Sequence, residues 1–470
     1  MSFLSGLLVD DRSFYKKTAI IAIPVTLQSL IAIGISLIST IMLGSLGEAQ
    51  LAASSLANNF VAIFQILCMG MGFGTAVMTA QYWGSKDKEA IKSAVTIMYR
   101  VNIVTALLFM TITLLVPDVI MNIYSNDSEI IGYGIKYLRI LAMTYLLQGL
   151  SLTTTIILRS YGKVKIPLYC SIAAFLLTIF LSWVFIFGNL GAPRMEIEGA
   201  AVAALLARVL EFVVIMGYFL KEKEIGYRTS DFFRRCDDKM KPFMKYAVPV
   251  IVSDFLLAIG MSMIAIIVGH ISSSFVSANA IIMVVLQIFT VFTQGISNAA
   301  SIIIGNTIGE GGAEQSFRQG VTFSVLSSII GIISVLFVQL LAPSVIGFYK
   351  VSGETREIAY QLMNALSFTI IFQTVSSVMT KGVLRGGGDT KFLMIADILF
   401  LWVASVPLGM LAAYVLHLPP FFIYISLRID NLLKTIWCIH RLLGKKWIKV
   451  IDQGKVEGAY LPQDSMVDFE

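Results

Sequence analysis

Apolar residues in this chain come in runs far longer than a soluble core helix needs. Windows of about 20 apolar residues, the length of an α-helical membrane span, recur from one end to the other, separated by short polar loops. The pattern predicts twelve helices, at 17–43, 51–82, 93–116, 133–158, 166–189, 198–220, 243–269, 275–306, 318–343, 356–384, 392–416 and 420–443. A transmembrane β-barrel would show roughly ten-residue alternating segments instead, and none is present. The longest polar connection, KEKEIGYRTSDFFRRCDDKMK at 221–241, separates two sets of six. The expected fold is therefore an all-α polytopic membrane protein with twelve transmembrane helices in two six-helix bundles. One bundle occupies 1–220 and the other 242–445, joined by a cytoplasmic loop at 221–241 and followed by a cytoplasmic tail at 446–470.

The two sets repeat each other. Pro24 and Pro249, Gly44 and Gly269, Gly70 and Gly295, Gln81 and Asn306, and Gly84 and Gly309 all pair at one constant offset. Leu158, Arg159, Gly162 and Lys165 pair with Leu384, Arg385, Gly388 and Lys391 one residue further on. Six spans per half is an even number, so both halves insert in the same orientation. A pseudo-twofold along the membrane normal follows, with a cavity between the halves.

Composition agrees: 57% of residues are hydrophobic and 14% charged, against about 25% charged in a soluble domain. The 35 Lys and Arg outnumber the 29 Asp and Glu, but their placement points to membrane topology and not to nucleic acid. With a cytoplasmic N-terminus, 25 of the 35 basic residues fall on inner loops and tails and the helix ends that adjoin them. The outer side holds Lys136, Arg139, Arg194, Lys350 and Arg356. This bias predicts a cell-membrane protein with both termini cytoplasmic. Cys68, Cys170, Cys236 and Cys438 belong to no ligand motif, and His270, His417 and His440 stand apart, so neither a metal nor another cofactor is expected.

Candidate chemistry lies in charges placed within spans, where each costs a few kcal/mol, roughly 2.5–3.5, and marks a functional position. Asp254 is the sole charge in AVPVIVSDFLLAIGMSMIAIIVG at 247–269. Residues three and four away are Val250, Ile251, Leu257 and Ala258, so no charge stands at the spacing that meets it on its own helix. Lys381 and Asp397 lie seven before and nine after Gly388 in the turn between spans 10 and 11. In an antiparallel hairpin they share a depth of about 10 Å, as does Asp254, and an ion pair between Lys381 and Asp397 is expected. These three are the candidate cation-coupling residues. Arg208 with Glu211 and Asp430 with Lys434 are spaced to pair along one helix face; with Arg428 they form a secondary set of buried charges. Ser29, Thr155 and Ser171 stand at the first-half duplicates of Asp254, Lys381 and Asp397. Gln28, Gln287 and Gln373 are candidate cavity-lining residues.

Pro24 with Gly44, GMGFGTAVMTAQYWGSKD, GAAVAALLARVLE, LRGGGDTKF and IHRLLGKKWIKV, in this order and doubled, resemble the multidrug and toxic compound extrusion family over about residues 15–450. The resemblance implies export of amphipathic, often cationic, organic compounds in exchange for inward H⁺ or Na⁺; a monomer working through alternating access is expected. Many prokaryotic members carry an Asp in span 1 and an Asn and Asp in span 5. Ser39, Thr178 and Ser182 stand at those positions here, so the first-half cation site of such members is expected to be absent. An acidic residue five positions after the span 7 proline is a family pattern, met by Asp254. Polarizable Met and aromatic faces would suit such ligands. The alternative within the same superfamily is a flippase for a lipid-linked precursor or peptide, which would need a basic cavity. The spans hold no clustered DxxxD, HExxH or serine-hydrolase pattern, so a membrane enzyme is not expected.

Overall fold

The computed structural model describes residues 8–349 and 351–451; Lys350 and tail residues 452–470 lie outside the described residues. Those described form helices and no strand. They are α1 (Arg12–Gly44), α2 (Glu48–Gly84), α3 (Lys88–Leu115), α4 (Pro117–Tyr124), α5 (Ser128–Ala142), α6 (Thr144–Ser160), α7 (Lys165–Phe187) and α8 (Glu196–Lys221). After the long loop come α9 (Asp237–Gly269), α10 (Ser273–Gly309), α11 (Ala313–Phe348), α12 (Gly353–Leu384), α13 (Thr390–Val415), α14 (Pro420–Leu427) and α15 (Ile429–Leu443). Among the described residues, ten helices are each long and apolar enough to cross a bilayer, and α5 with α6 makes an eleventh. α14 and α15 complete the twelve-helix architecture.

Helix ends follow local chemistry. Asp127 caps α5 by accepting from the Glu129 amide at 2.8 Å, and Ser272 caps α10 by accepting from the Phe275 amide at 3.1 Å, each meeting a donor that the first turn leaves orphaned. Two spans read as continuous are broken by the same competition of side chains for backbone groups. The fourth bends by 54° at Met143, where the Thr144 hydroxyl donates to the Leu141 carbonyl at 2.6 Å. The twelfth is interrupted at Arg428, because the Asp430 amide donates to Ser405 Oγ at 2.9 Å instead of to its own helix. π-helical turns occur at Val378–Leu384, Leu399–Ser405 and Leu411–Val415, all in the second half.

The chain packs as two compact units. The N-lobe comprises Ile20–Ala76 and Glu89–Ile259; the C-lobe comprises the segment up to Ala19, Val77–Lys88 and the chain from Gly260 onward. These divisions fall inside α1, α2 and α9, while the sequence repeat divides at 221–241.

In the N-lobe, Phe64, Met71, Leu138 and Tyr145 are buried together, the Phe64 and Tyr145 rings meeting edge-on at 4.8 Å. The GMGFG stretch of α2 gives α9 its seat. A Cβ on Gly70 would lie 2.8 Å from the Ile251 Cα, and one on Gly74 would lie 2.4 Å from the Ala247 Cα. Only a bare backbone permits this approach, and it packs α2 against the turn of α9 that leads into Asp254.

In the C-lobe, duplicated positions meet each other. A Cβ on Gly84 would fall 2.0 Å from the Asn306 carbonyl oxygen, and one on Gly309 would fall 1.9 Å from that of Gln81. The end of α2 and the end of α10 therefore cross backbone to backbone. The segment after α15 closes over the same region. Trp447 is wholly buried, the Lys449 amide donates to the Gly387 carbonyl at 2.9 Å, and the Gln81 side chain bonds both the Lys449 carbonyl and the Ile451 amide. Asp389, in the LRGGGDTKF turn, receives Arg441 Nε at 2.8 Å and Lys449 Nζ. That turn is thus a packed structural corner.

Candidate functional site

Polar chemistry collects in two places, one per lobe. In the C-lobe, Asp397 on α13 and Asp430 and Lys434 on α15 are each under 8% exposed. Lys434 Nζ lies 2.9 Å from Asp430 Oδ2 and 3.4 Å from Asp397 Oδ1. Asp430 also accepts from Ser405 Oγ at 3.0 Å. Beside it, Asn431 accepts from Ser376 Oγ at 3.1 Å. The broken span is what lets this happen, since turning the chain at Arg428 brings Ser405 and Asp430 together. Arg428 stacks over the Tyr424 ring at 5.9 Å, and its Nη1 donates to the Met261 thioether at 3.4 Å. One ammonium is thus shared by carboxylates on two helices.

The expected Asp430–Lys434 and Arg208–Glu211 pairs are present, at 2.9 Å and 2.6 Å. The expected pairing of Lys381 with Asp397 is corrected. Lys381 is exposed and makes no ion pair among the described residues, and Asp397 takes Lys434 instead. Depth arithmetic fixes height along a hairpin but not the direction in which a side chain points. Lys381 sits within the π-helical turn Val378–Leu384, whose extra residue breaks the 3.6-residue register on which an inward direction depends. The Asp397–Lys434 pair was missed because Lys434 already had a partner at i−4, which concealed that it could serve a second carboxylate. Asp254 is half-buried on the N-lobe part of α9. The three expected coupling residues are therefore divided between the units, Asp254 in one and Lys381 and Asp397 in the other.

The N-lobe contains a partly open cavity of about 450 Å³ between α1, α2, α7 and α8. Ser39, Thr178 and Ser182 all line it, with Gln28, Asn58 and Gln65. The positions singled out by the span 1 and span 5 resemblance converge on one space, but carry hydroxyls. Arg208 and Glu211 also line it, bonded to each other; sequence spacing showed the pair but not what it faces. Gln28 is held at both ends of its amide, the nitrogen donating to the Val164 carbonyl at 3.3 Å and the oxygen accepting from Arg159. Gln287 is exposed and Gln373 half-buried, and neither lines this cavity. No group of His, Cys, Asp and Glu that could hold a metal ion occurs among the described residues.

A duplicated, twelve-helix bilayer-spanning protein with a polar cavity in one lobe and a buried ion network in the other has the architecture of a membrane transporter. Its family follows from the repeat. The profile of the MatE family matches residues 24–184 and then again 249–411, the two matches starting at the duplicated prolines Pro24 and Pro249. The chain belongs to this family of efflux transporters. It is 24% identical over 439 residues to a probable multidrug resistance protein NorM of Thermotoga maritima, covering 92% of this chain and 93% of that one. A probable multidrug resistance protein NorM of Agrobacterium fabrum is 25% identical over 424 residues, covering 87% and 88% of the two chains. The fold matches an outward-facing multidrug resistance MATE family transporter with a TM-score of 0.83 at 20% identity, covering 92% and 96%.

Proposed function

We propose that the protein exports amphipathic organic compounds across the cell membrane in exchange for inward H⁺ or Na⁺, with Asp397 and Asp254 as coupling carboxylates. The observation that carries this reading is Lys434, shared between Asp397 at 3.4 Å and Asp430 at 2.9 Å inside the C-lobe. When Asp397 takes a proton or a metal cation, its claim on Lys434 ends and the ammonium is left to Asp430. Ion occupancy then changes the charge balance between α13 and α15, on the very helices whose π turn and break depart from regular geometry. Such a change drives transport only where ion and substrate favour different conformations, the requirement of alternating access. Lys381, exposed and on the neighbouring helix, is then a peripheral cation and not the counter-ion of Asp397. The charge bias supports cytoplasmic termini and loop 221–241. The flippase alternative calls for basic side chains in the cavity; the N-lobe cavity has one lining arginine, already held by Glu211.

The test is transport in proteoliposomes with a pH gradient and a Na⁺ gradient imposed separately, using ethidium and a neutral dye amphiphile as substrates. Asp397→Asn and Asp254→Asn should each abolish gradient-driven export while insertion and folding persist. Normal export by Asp397→Asn would sink the proposal for the C-lobe network.

A further inference from the structure

The N-lobe cavity has a chemistry of its own. Among its lining residues the side chains of Ser39, Ser55, Gln65, Ser171 and Ser182 make no hydrogen bond with the protein among the described residues. By contrast, Thr40, Ser54 and Thr178 donate to carbonyls of their own helices. The first five side chains line the cavity without a bond to the protein among the described residues, and a hydroxyl can both donate and accept. The sole charges in the lining are Arg208 and Glu211, tied to each other at 2.6 Å. Tyr137 is its single aromatic residue and it contains no methionine. The aromatic and Met-rich surface expected for organic cations is therefore not what this cavity offers.

We infer that the N-lobe cavity selects amphiphiles by an uncharged, hydroxyl-bearing head group and not by positive charge. An organic cation entering it meets no aromatic face but Tyr137. The one carboxylate is already neutralised, and drawing Glu211 away strands Arg208 without its counter-ion, which is costly in a partly dry setting. A polyhydroxylated head meets complementary donors and acceptors on α1, α2 and α7 with no ion pair broken. Sites built to bond a hydroxyl discriminate strongly against analogues lacking it, because their own polar groups are then left unpaired. This inference deepens the exporter reading and rests on it for the meaning of "substrate", but it concerns binding alone.

The experiment uses the full chain in lipid nanodiscs and three probes built on one nitrobenzoxadiazole alkyl chain, ending in a glucosyl, a trimethylammonium or a carboxylate group. Binding is read by fluorescence without any gradient. The glucosyl probe should bind at least about tenfold tighter than the trimethylammonium probe. Ser39→Ala with Ser182→Ala should weaken the glucosyl probe about tenfold, the loss of two neutral hydrogen bonds, and leave the trimethylammonium probe unchanged. Ser39→Asp should tighten the trimethylammonium probe, which also shows that substitution here leaves the cavity folded. Equal or tighter binding of the trimethylammonium probe by the unmodified protein overturns the inference, as does a double variant that keeps full glucosyl affinity. Tightest binding of the carboxylate probe overturns it in favour of an Arg208-led anion site. Selective glucosyl binding without gradient-driven export would defeat the exporter reading and leave this one standing; export with no glucosyl preference does the reverse.

Discussion

Replacing Lys434 with methionine removes the ammonium that two buried carboxylates share while keeping the stem that packs around it. At an effective dielectric of about 20, the Coulomb attraction is about 5 kcal/mol for the 3.4 Å contact with Asp397 and about 6 kcal/mol for the 2.9 Å contact with Asp430. Most of this is offset by the cost of desolvating the ions. What remains when one member of a buried network is deleted is typically about 3–5 kcal/mol, because the partners stay behind unpaired. Lys434→Met takes the ammonium from two buried carboxylates at once, and should be the least stable single variant of the three. Asp430→Asn removes the shorter contact but leaves Lys434 with Asp397, so it falls between. Asp397→Asn gives up the longer of the two Lys434 contacts and should be mildest, while still abolishing coupling. Thermal melting of the detergent-solubilised protein, followed by fluorescence-detected size exclusion, gives the order. The triple variant Lys434→Met, Asp397→Asn, Asp430→Asn should recover part of the loss, since neither carboxylate is then charged and only buried Arg428 loses the nearby charge of Asp430. A Lys434→Met protein that melts like the parent, or a triple variant no better than Lys434→Met, would refute the shared-ammonium argument.

Two further outcomes follow from the packing. Gly309→Ala places a Cβ 1.9 Å from the Gln81 carbonyl oxygen; α2 and α10 must part by about 1.5 Å, at a cost of about 1–3 kcal/mol. Gly217→Ala, where nothing lies within 4 Å, is the control and should melt no lower than the parent; equal melting of both variants would contradict the backbone crossing. In the loops, the Lys163 ammonium is held above its ordinary 10.5 chiefly by its hydrogen bond to Glu224. A raised lysine contributes fully below its unfolded value and is lost as pH rises through the folded one. The tie from 163 to the 221–241 loop should therefore hold at neutral pH and release only above about 10.5. Limited proteolysis of that loop should quicken there, and should be quick at neutral pH in Lys163→Met; an unchanged Lys163→Met rate would count against it.

Much of this protein was determined by its sequence alone, for a plain reason. In a bilayer every backbone polar group must be bonded within its own segment, so length and apolarity dictate twelve helical spans, and duplication carries the family. Pairs within one helix, Arg208–Glu211 and Asp430–Lys434, were legible too, because helical spacing is local. The convergence of Ser39, Thr178 and Ser182 on one cavity came by resemblance, not from spacing. Only the tertiary structure decided which way buried groups face. Lys381 and Asp397 share a depth but not a direction, since a π turn intervenes. Lys434 serves two carboxylates because Ser405 breaks the last span at Arg428. Asp254 and Asp397 lie in different packing units because α9 passes from one to the other at Ile259. Depth is a property of counting residues along a chain, whereas direction depends on how each helix is bent, widened or interrupted by neighbours far away in sequence.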